Sequence, residues 1–234
     1  LWGETLRKCL CRVGRLDVDV VLDLAIQMLS GLEAVHSIGI VHRDIKPDNV
    51  FLVQRNGCMP LVKLLDFGMC RRAHAHSPRR VAYQQEEILL GDRTLTRAGT
   101  VVGTPEYMAP EQACGDRAFD ARIDLFAVGI LLYEALSGTR AFTGPDVKSV
   151  LASVLQKPLA PLRSIRPELP TVVDRIVARA IERNPLARYA TARELQEDLL
   201  AARAKLEAQL GGEVVRDSAA WELPTRRLKR FANG

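Results

Sequence analysis

Residues 40–68 constrain this chain more than any other stretch. Two apolar runs, Val50-Phe51-Leu52-Val53 and Leu61-Val62-Lys63-Leu64-Leu65, flank Gln54-Arg55-Asn56-Gly57-Cys58-Met59-Pro60. Turn formers crowd that middle segment, so the pair is expected to fold as a β-hairpin. Polar loops lie on both sides of it, with Asp44, Lys46 and Asn49 before and Asp66 after. Pro47 keeps the first loop from being helix interior. An antiparallel hairpin returns the chain to where it began, which sets Asp66 beside Asp44 and Asn49 although it lies 22 positions beyond Asp44. Two carboxylates, an amide and an ammonium then meet at one spot. Such a set suits a divalent metal with polyphosphate, the oxygens facing Mg²⁺ and Lys46 facing phosphate charge.

His42-Arg43-Asp44-x-Lys46-x-x-Asn49, Asp66-Phe67-Gly68 and Ala109-Pro110-Glu111 resemble the catalytic loop, metal loop and activation-segment end of protein kinases. Lys46 two places after Asp44, with Gly103-Thr104 ahead of Ala109, is similar to the Ser/Thr-directed branch. The phrasing around these motifs resembles the eukaryotic-like Ser/Thr kinases of bacteria. One tripeptide would carry little weight, whereas three motifs in order with a hairpin between the first two are specific. The resemblance implies ATP and Mg²⁺ as cofactors and a Ser- or Thr-bearing protein as substrate. Asp44 is then the group that accepts or orients the hydroxyl proton, with Lys46 on the transferring phosphoryl group and Thr104 bridging Asp44 and Lys46. Asn49 and Asp66 become the metal ligands, and Phe51 the floor under the adenine. His42 is expected to stack on Phe67, Glu111 to pair with Arg188, and Asp124 to accept hydrogen bonds from the catalytic-loop backbone.

Residues 69–102 hold few apolar residues and no sustained period, and 45 positions separate Asp66 from Glu111. A connection of that length inside a compact domain is expected to be functional or disordered. By resemblance it is an activation segment with an insertion near 74–92. Thr96 and Thr100 are the candidate autophosphorylation sites, and Arg43 can pair with a phosphate placed there.

Elsewhere the periodicity is helical. Leu6, Cys9 and Leu10 predict a short helix stopped by Gly14, and Val20, Val21, Leu24, Met28, Leu32 and Val35 a buried one running to about Ser37. Residues 122–136 are apolar on most sides and belong at a domain centre. A shorter helix is expected over Pro145–Leu155 with Pro at its start, then an extended connector through Pro158, Pro161 and Pro167. Thr171 opens a helix to about Glu182, and Thr191-Ala-Arg-Glu194 is a capping box for a last one ending near Leu210.

The fold class expected is therefore α+β and mostly α-helical: a kinase-like large lobe with a short hairpin at the catalytic loop. Its domain spans 1–210, with catalytic loop 40–53, activation segment 66–111 and helical subdomain 118–210, and a linker or tail follows over 211–234. No Gly-x-Gly-x-x-Gly and no strand Lys paired to a helix Glu are found, so the small lobe is expected to be absent and the isolated chain inactive or weakly ATP-binding. A non-catalytic, kinase-like interaction module is the alternative, and a small-molecule phosphotransferase a weaker third.

Bulk properties narrow the rest. A net charge of +5 over 234 residues is mild, and the densest basic cluster, Arg226-Arg227-Leu228-Lys229-Arg230, reads as a solvated tail, so no nucleic-acid partner is expected. The 5 cysteines have no metal-ligand spacing, and reduced thiols in the cytoplasm are the simplest account. The His74-x-His76 pair lacks further ligands nearby. The longest apolar run, Leu125–Tyr133, falls far short of a membrane span.

Overall fold

A computed structural model describes residues 2–55, 58–69, 71–72, 104–115 and 120–209. Thr96, Thr100, the His74–His76 pair and the tail from 210 onward lie outside those residues.

The hairpin forms as its sequence requires. Strands β3 (Val50–Arg55) and β4 (Cys58–Leu64) pair antiparallel with Val50 opposite Leu64 and Val53 opposite Leu61. Alternation puts Val50 and Leu52 in the core while Phe51 and Val53 face the other way. The side chain of Gln27 completes β4's outer edge, accepting from Val62 N at 3.0 Å and donating to Pro60 O at 3.2 Å.

Two smaller pieces of sheet are not visible in the sequence. Strand β1 (Gly3–Thr5) lies along β3, so the sheet order is β1-β3-β4. Gly3 is required there, because a Cβ at that position would sit 2.1 Å from Leu52 O and 2.8 Å from the Phe51 ring. Strand β2 (Ile40–Val41) pairs with β5 (Arg71–Arg72), which corrects the expectation that residues after 68 lack regular structure. Strands of 2 or 3 residues carry no readable period. Their partners create them.

The helices follow their apolar spacing. Helix α1 (Leu6–Val13) is capped by Thr5, buries Leu6, Cys9 and Leu10, and ends at Gly14 with φ 80°. Helix α2 (Val18–His36) precedes the catalytic loop. After the short α3 (Pro110–Ala113), helix α4 (Arg122–Ser137) is buried along nearly its whole length and stops at Gly138 in the left-handed region, φ 74°. Of the remaining helices, α6 (Leu162–Ile165) and α7 (Thr171–Ala180) pack on α4, α8 (Ala192–Gln209) packs on α2 and α7, and α5 (Val147–Gln156) lies against α3 and the turn at 105–107.

Helix α5 starts two residues later than expected because Asp146, not Pro145, caps it, accepting from Ser149 N at 2.8 Å. The proline-rich connector contains α6 rather than being wholly extended. At the start of α8, Thr191 Oγ1 accepts from Glu194 N at 3.1 Å, but the Glu194 carboxylate reaches Ala190 N instead of closing the box on Thr191.

Candidate active site

The site is built outward from a buried carboxylate in the first turn of α4. Asp124 is 1% exposed and holds three N–H groups: His42 N and Arg43 N at 2.8 Å each, and His36 Nε2 at 2.8 Å. A buried carboxylate needs such donors to offset its lost hydration. Arg43 stands at φ 72°, a backbone region that side chains other than Gly seldom adopt. Its hydrogen bond to Asp124 helps hold it there.

His42 carries the loop to its partner strand. Its Nε2 donates to Leu65 O at 3.1 Å while Nδ1 accepts from Asp44 N at 3.4 Å, which sets the tautomer. The ring also packs against Phe67, with centroids 4.7 Å apart, as the resemblance implied. Leu65 N in turn donates to Asn49 O at 2.8 Å. The residue before Asp66 is thus tied to both ends of the loop that carries Asp44, so hairpin closure brings the two motifs together at the backbone.

The side chains of the loop interlock. Asp44 Oδ2 accepts from Lys46 Nζ at 2.7 Å and from Asn49 Nδ2 at 2.9 Å, and Asn49 Nδ2 also donates to Asp44 O at 2.9 Å. Lys46 and Asp44 are 17% and 11% exposed, so this pair is only partly hydrated. No hydrogen bond engages Asp44 Oδ1 among the described residues. The Asn49 amide spends its N–H groups on Asp44, and its oxygen makes no hydrogen bond among the described residues. Asp66 stands at φ 59° with Oδ1 accepting from Gly68 N at 3.1 Å, an Asx-type turn that leaves Oδ2 open.

The Asn49 amide oxygen and the Asp66 carboxylate are hard donors of the kind that Mg²⁺ on a polyphosphate takes, and Lys46 is tied to Asn49 through Asp44. They do not make an all-protein cage, and no group of three His, Cys, Asp or Glu suited to a metal occurs among the described residues. Mg²⁺ commonly keeps waters and substrate oxygens, so the smaller protein share is consistent with it. Phe51 is half-buried beside Gly3 on the sheet face away from the core. Thr104 precedes a 3₁₀ turn, Pro105–Tyr107, and no hydrogen bond joins it to Asp44 or Lys46 among the described residues.

Behind Thr104 the segment is anchored by two ion-pair systems. Arg188 binds Glu111 through both terminal nitrogens at 2.7 and 2.8 Å, with further bonds to Glu182 O and Arg183 O and the Phe126 ring 4.8 Å away. The second system was not anticipated: Arg7 of α1 bonds Glu134 of α4 at 2.6 Å, Tyr107 OH at 2.5 Å and Asp48 at 3.3 Å. Burial, then the Glu134 carboxylate, holds the Tyr107 hydroxyl well above the usual phenol range. Glu134 left a signal in the sequence, since a carboxylate inside an otherwise apolar helix demands a partner. Arg7 left none, because an Arg on an amphipathic helix usually meets solvent. His36 was missed for the same reason.

Residues 2–200 match the family described as protein kinase domain. The serine/threonine-protein kinase Pkn1 of Myxococcus xanthus is 40% identical over 171 residues, covering 73% of this chain and 22% of Pkn1. The serine/threonine-protein kinase PksC of Streptomyces coelicolor is 35% identical over 207 residues, 88% of this chain and 34% of PksC. A second Myxococcus xanthus kinase, pkn3, is 33% identical over 201 residues, 85% of this chain and 34% of that protein. The chain spans 22–34% of the length of these relatives.

Proposed function

The chain belongs to the protein kinase domain family, and from that premise we propose that it carries the catalytic-loop and metal-loop half of a serine/threonine protein kinase that transfers the ATP γ-phosphoryl group to protein hydroxyls. The Ser/Thr preference rests on Lys46 beside Asp44 and on similarity to relatives named as serine/threonine kinases. One observation carries the reading. Asp44 has Oδ2 fixed by Lys46 and Asn49 while Oδ1 makes no hydrogen bond among the described residues.

An acceptor hydroxyl would donate to Asp44 Oδ1, so that its proton has a destination as the oxygen becomes nucleophilic. Lys46, already against that carboxylate, would offset charge on the incoming phosphoryl group. Asn49 and Asp66 would present oxygens to Mg²⁺, and Phe51 would lie under the adenine. Thr104 joins the proposal on the acceptor side, where it would bridge Asp44 and Lys46 with substrate bound, a contact not made among the described residues. Bound Mg²⁺-ATP supplies the phosphoryl group and neutralises charge on its own phosphates. Positioning and electrostatics are what the protein contributes.

These residues contain no Gly-x-Gly-x-x-Gly, so the part of the nucleotide site they supply is expected to bind ATP weakly when tested by itself. The deciding experiment compares Asp44→Asn with the wild-type sequence in a kinase that has both halves of the nucleotide site, using labelled ATP and a Thr-containing peptide. We expect kcat to fall by roughly 10³-fold with folding intact. Equal transfer by both would remove Asp44 from the chemistry, and no transfer by either would favour a kinase-like interaction module.

A further inference from the structure

The ground between Asp44 and the 104–111 segment, where an acceptor peptide would lie, carries carboxylates that already have partners. Asp48 follows Asp44 by four positions and its side chain is 50% exposed. Glu134 lies beneath it, 8% exposed, and Glu106 stands on the segment itself, 18% exposed. Three acids beside an acceptor site would ordinarily attract a cationic side chain. Here Arg7 takes two of them, with Nε on Asp48 at 3.3 Å and Nη1 on Glu134 at 2.6 Å, while Arg140 takes Glu106 at 3.0 Å. Arg7 Nη2 also reaches Tyr107 OH, which itself donates to the second oxygen of Glu134. A single planar guanidinium thus meets three groups from the catalytic loop, the acceptor segment and the central helix. Lys could not reproduce that fork. Arg7 remains 16% exposed, so the pocket it fills opens outward.

Resting on the kinase reading, we propose that Arg7 is a specificity-determining residue: a resident cation that occupies the Asp48–Glu134 pocket and excludes acceptor peptides with basic side chains there. Acceptors with neutral or acidic residues next to the hydroxyl are the class that fits. Discrimination of this kind works by denying the wrong ligand its counter-charges rather than by adding contacts to the right one.

The test uses the full 234-residue chain and reads binding, so it does not depend on phosphate transfer. Arg7→Ala empties the pocket, and guanidinium chloride at about 20 mM, compared with equal sodium chloride, is expected to raise the melting temperature of the variant but not of the wild type. Labelled Thr peptides carrying Arg or Ala on the amino-terminal side are then compared. The wild type is expected to bind the Arg peptide no more tightly than the Ala peptide, and Arg7→Ala to gain about tenfold for the Arg peptide. A wild type that prefers the Arg peptide overturns the proposal, and that comparison needs no variant to fold. A folded Arg7→Ala chain that is indifferent to guanidinium also overturns it. Failure of phosphate transfer would count against the kinase reading alone and leave these binding outcomes standing.

Discussion

The carboxylate of Asp124 holds the backbone N–H of Arg43 at 2.8 Å, across 81 positions of sequence. With the matching bond to His42 N, it fixes the catalytic loop from the first turn of α4, a helix buried along nearly its whole length. Asp124→Asn keeps the shape but points an amide N–H at one of these donors. We expect a loss of about 3 kcal/mol, one charge-assisted bond plus an unsatisfied buried group, measured by urea denaturation. Phosphate transfer in a two-lobed kinase carrying the change should fall with it. A midpoint equal to that of the wild type would deny Asp124 this holding role.

Arg188 is fully buried and Glu111 nearly so. Removing one partner strands a charge, so Arg188→Met should cost about 3–5 kcal/mol, and Glu111→Gln a comparable amount. Removing both leaves no charge unpaired, and the double variant should lose less than the two single losses added together. Additivity in thermal melts would mean that the two residues do not act as a pair.

Gly129 lets α4 and α7 touch. A Cβ there would meet Ile181 Cγ2 at 2.7 Å and Ala180 Cβ at 2.9 Å. Gly129→Ala is therefore expected to destabilise by about 1–3 kcal/mol despite the better helix propensity of Ala. In an Ile181→Ala background part of that crowding is gone, and the cost should shrink. An unchanged or raised denaturation midpoint for Gly129→Ala would mean that the helices can separate at no cost.

Cys9 is buried against β3, and burial pushes its thiol up from an ordinary 9.0 to about 11. At pH 8 little thiolate forms, so iodoacetamide should label exposed Cys11 at least roughly a hundredfold faster than Cys9, read by peptide mass mapping. Because the folded value lies above the unfolded one, the stability linked to Cys9 is complete below pH 9 and is lost as pH rises toward 11. Cys9→Ala should flatten that alkaline decline. Equal labelling of both cysteines in the folded chain would contradict the burial.

Local signals reached far in this chain. Apolar spacing located α1, α2 and α4, start signals at Thr171 and Thr191 located α7 and α8, Gly14 marked a helix end, and turn formers between two apolar runs announced the hairpin. The His42–Phe67 contact and the Glu111–Arg188 pair were legible through family resemblance, not through spacing. The start of α5 was misread because Pro145 is a common first helical residue, whereas the Asp146 side chain satisfies the orphan N–H.

Alternation, turn chemistry and motif order determine from sequence alone that a hairpin joins two polar loops and that Asp44, Lys46, Asn49 and Asp66 belong to one neighbourhood, since these depend on residues close along the chain. Beyond the Asp124 contacts that the resemblance implied, tertiary structure decided what holds that neighbourhood in shape: His36 on Asp124, Leu65 O on His42, and Arg7 among Asp48, Tyr107 and Glu134. The Asp124 and Arg7 contacts join residues 41 to 127 positions apart, so no local period encodes them. They exist because a buried polar group must find its partner wherever the packed helices bring one within reach.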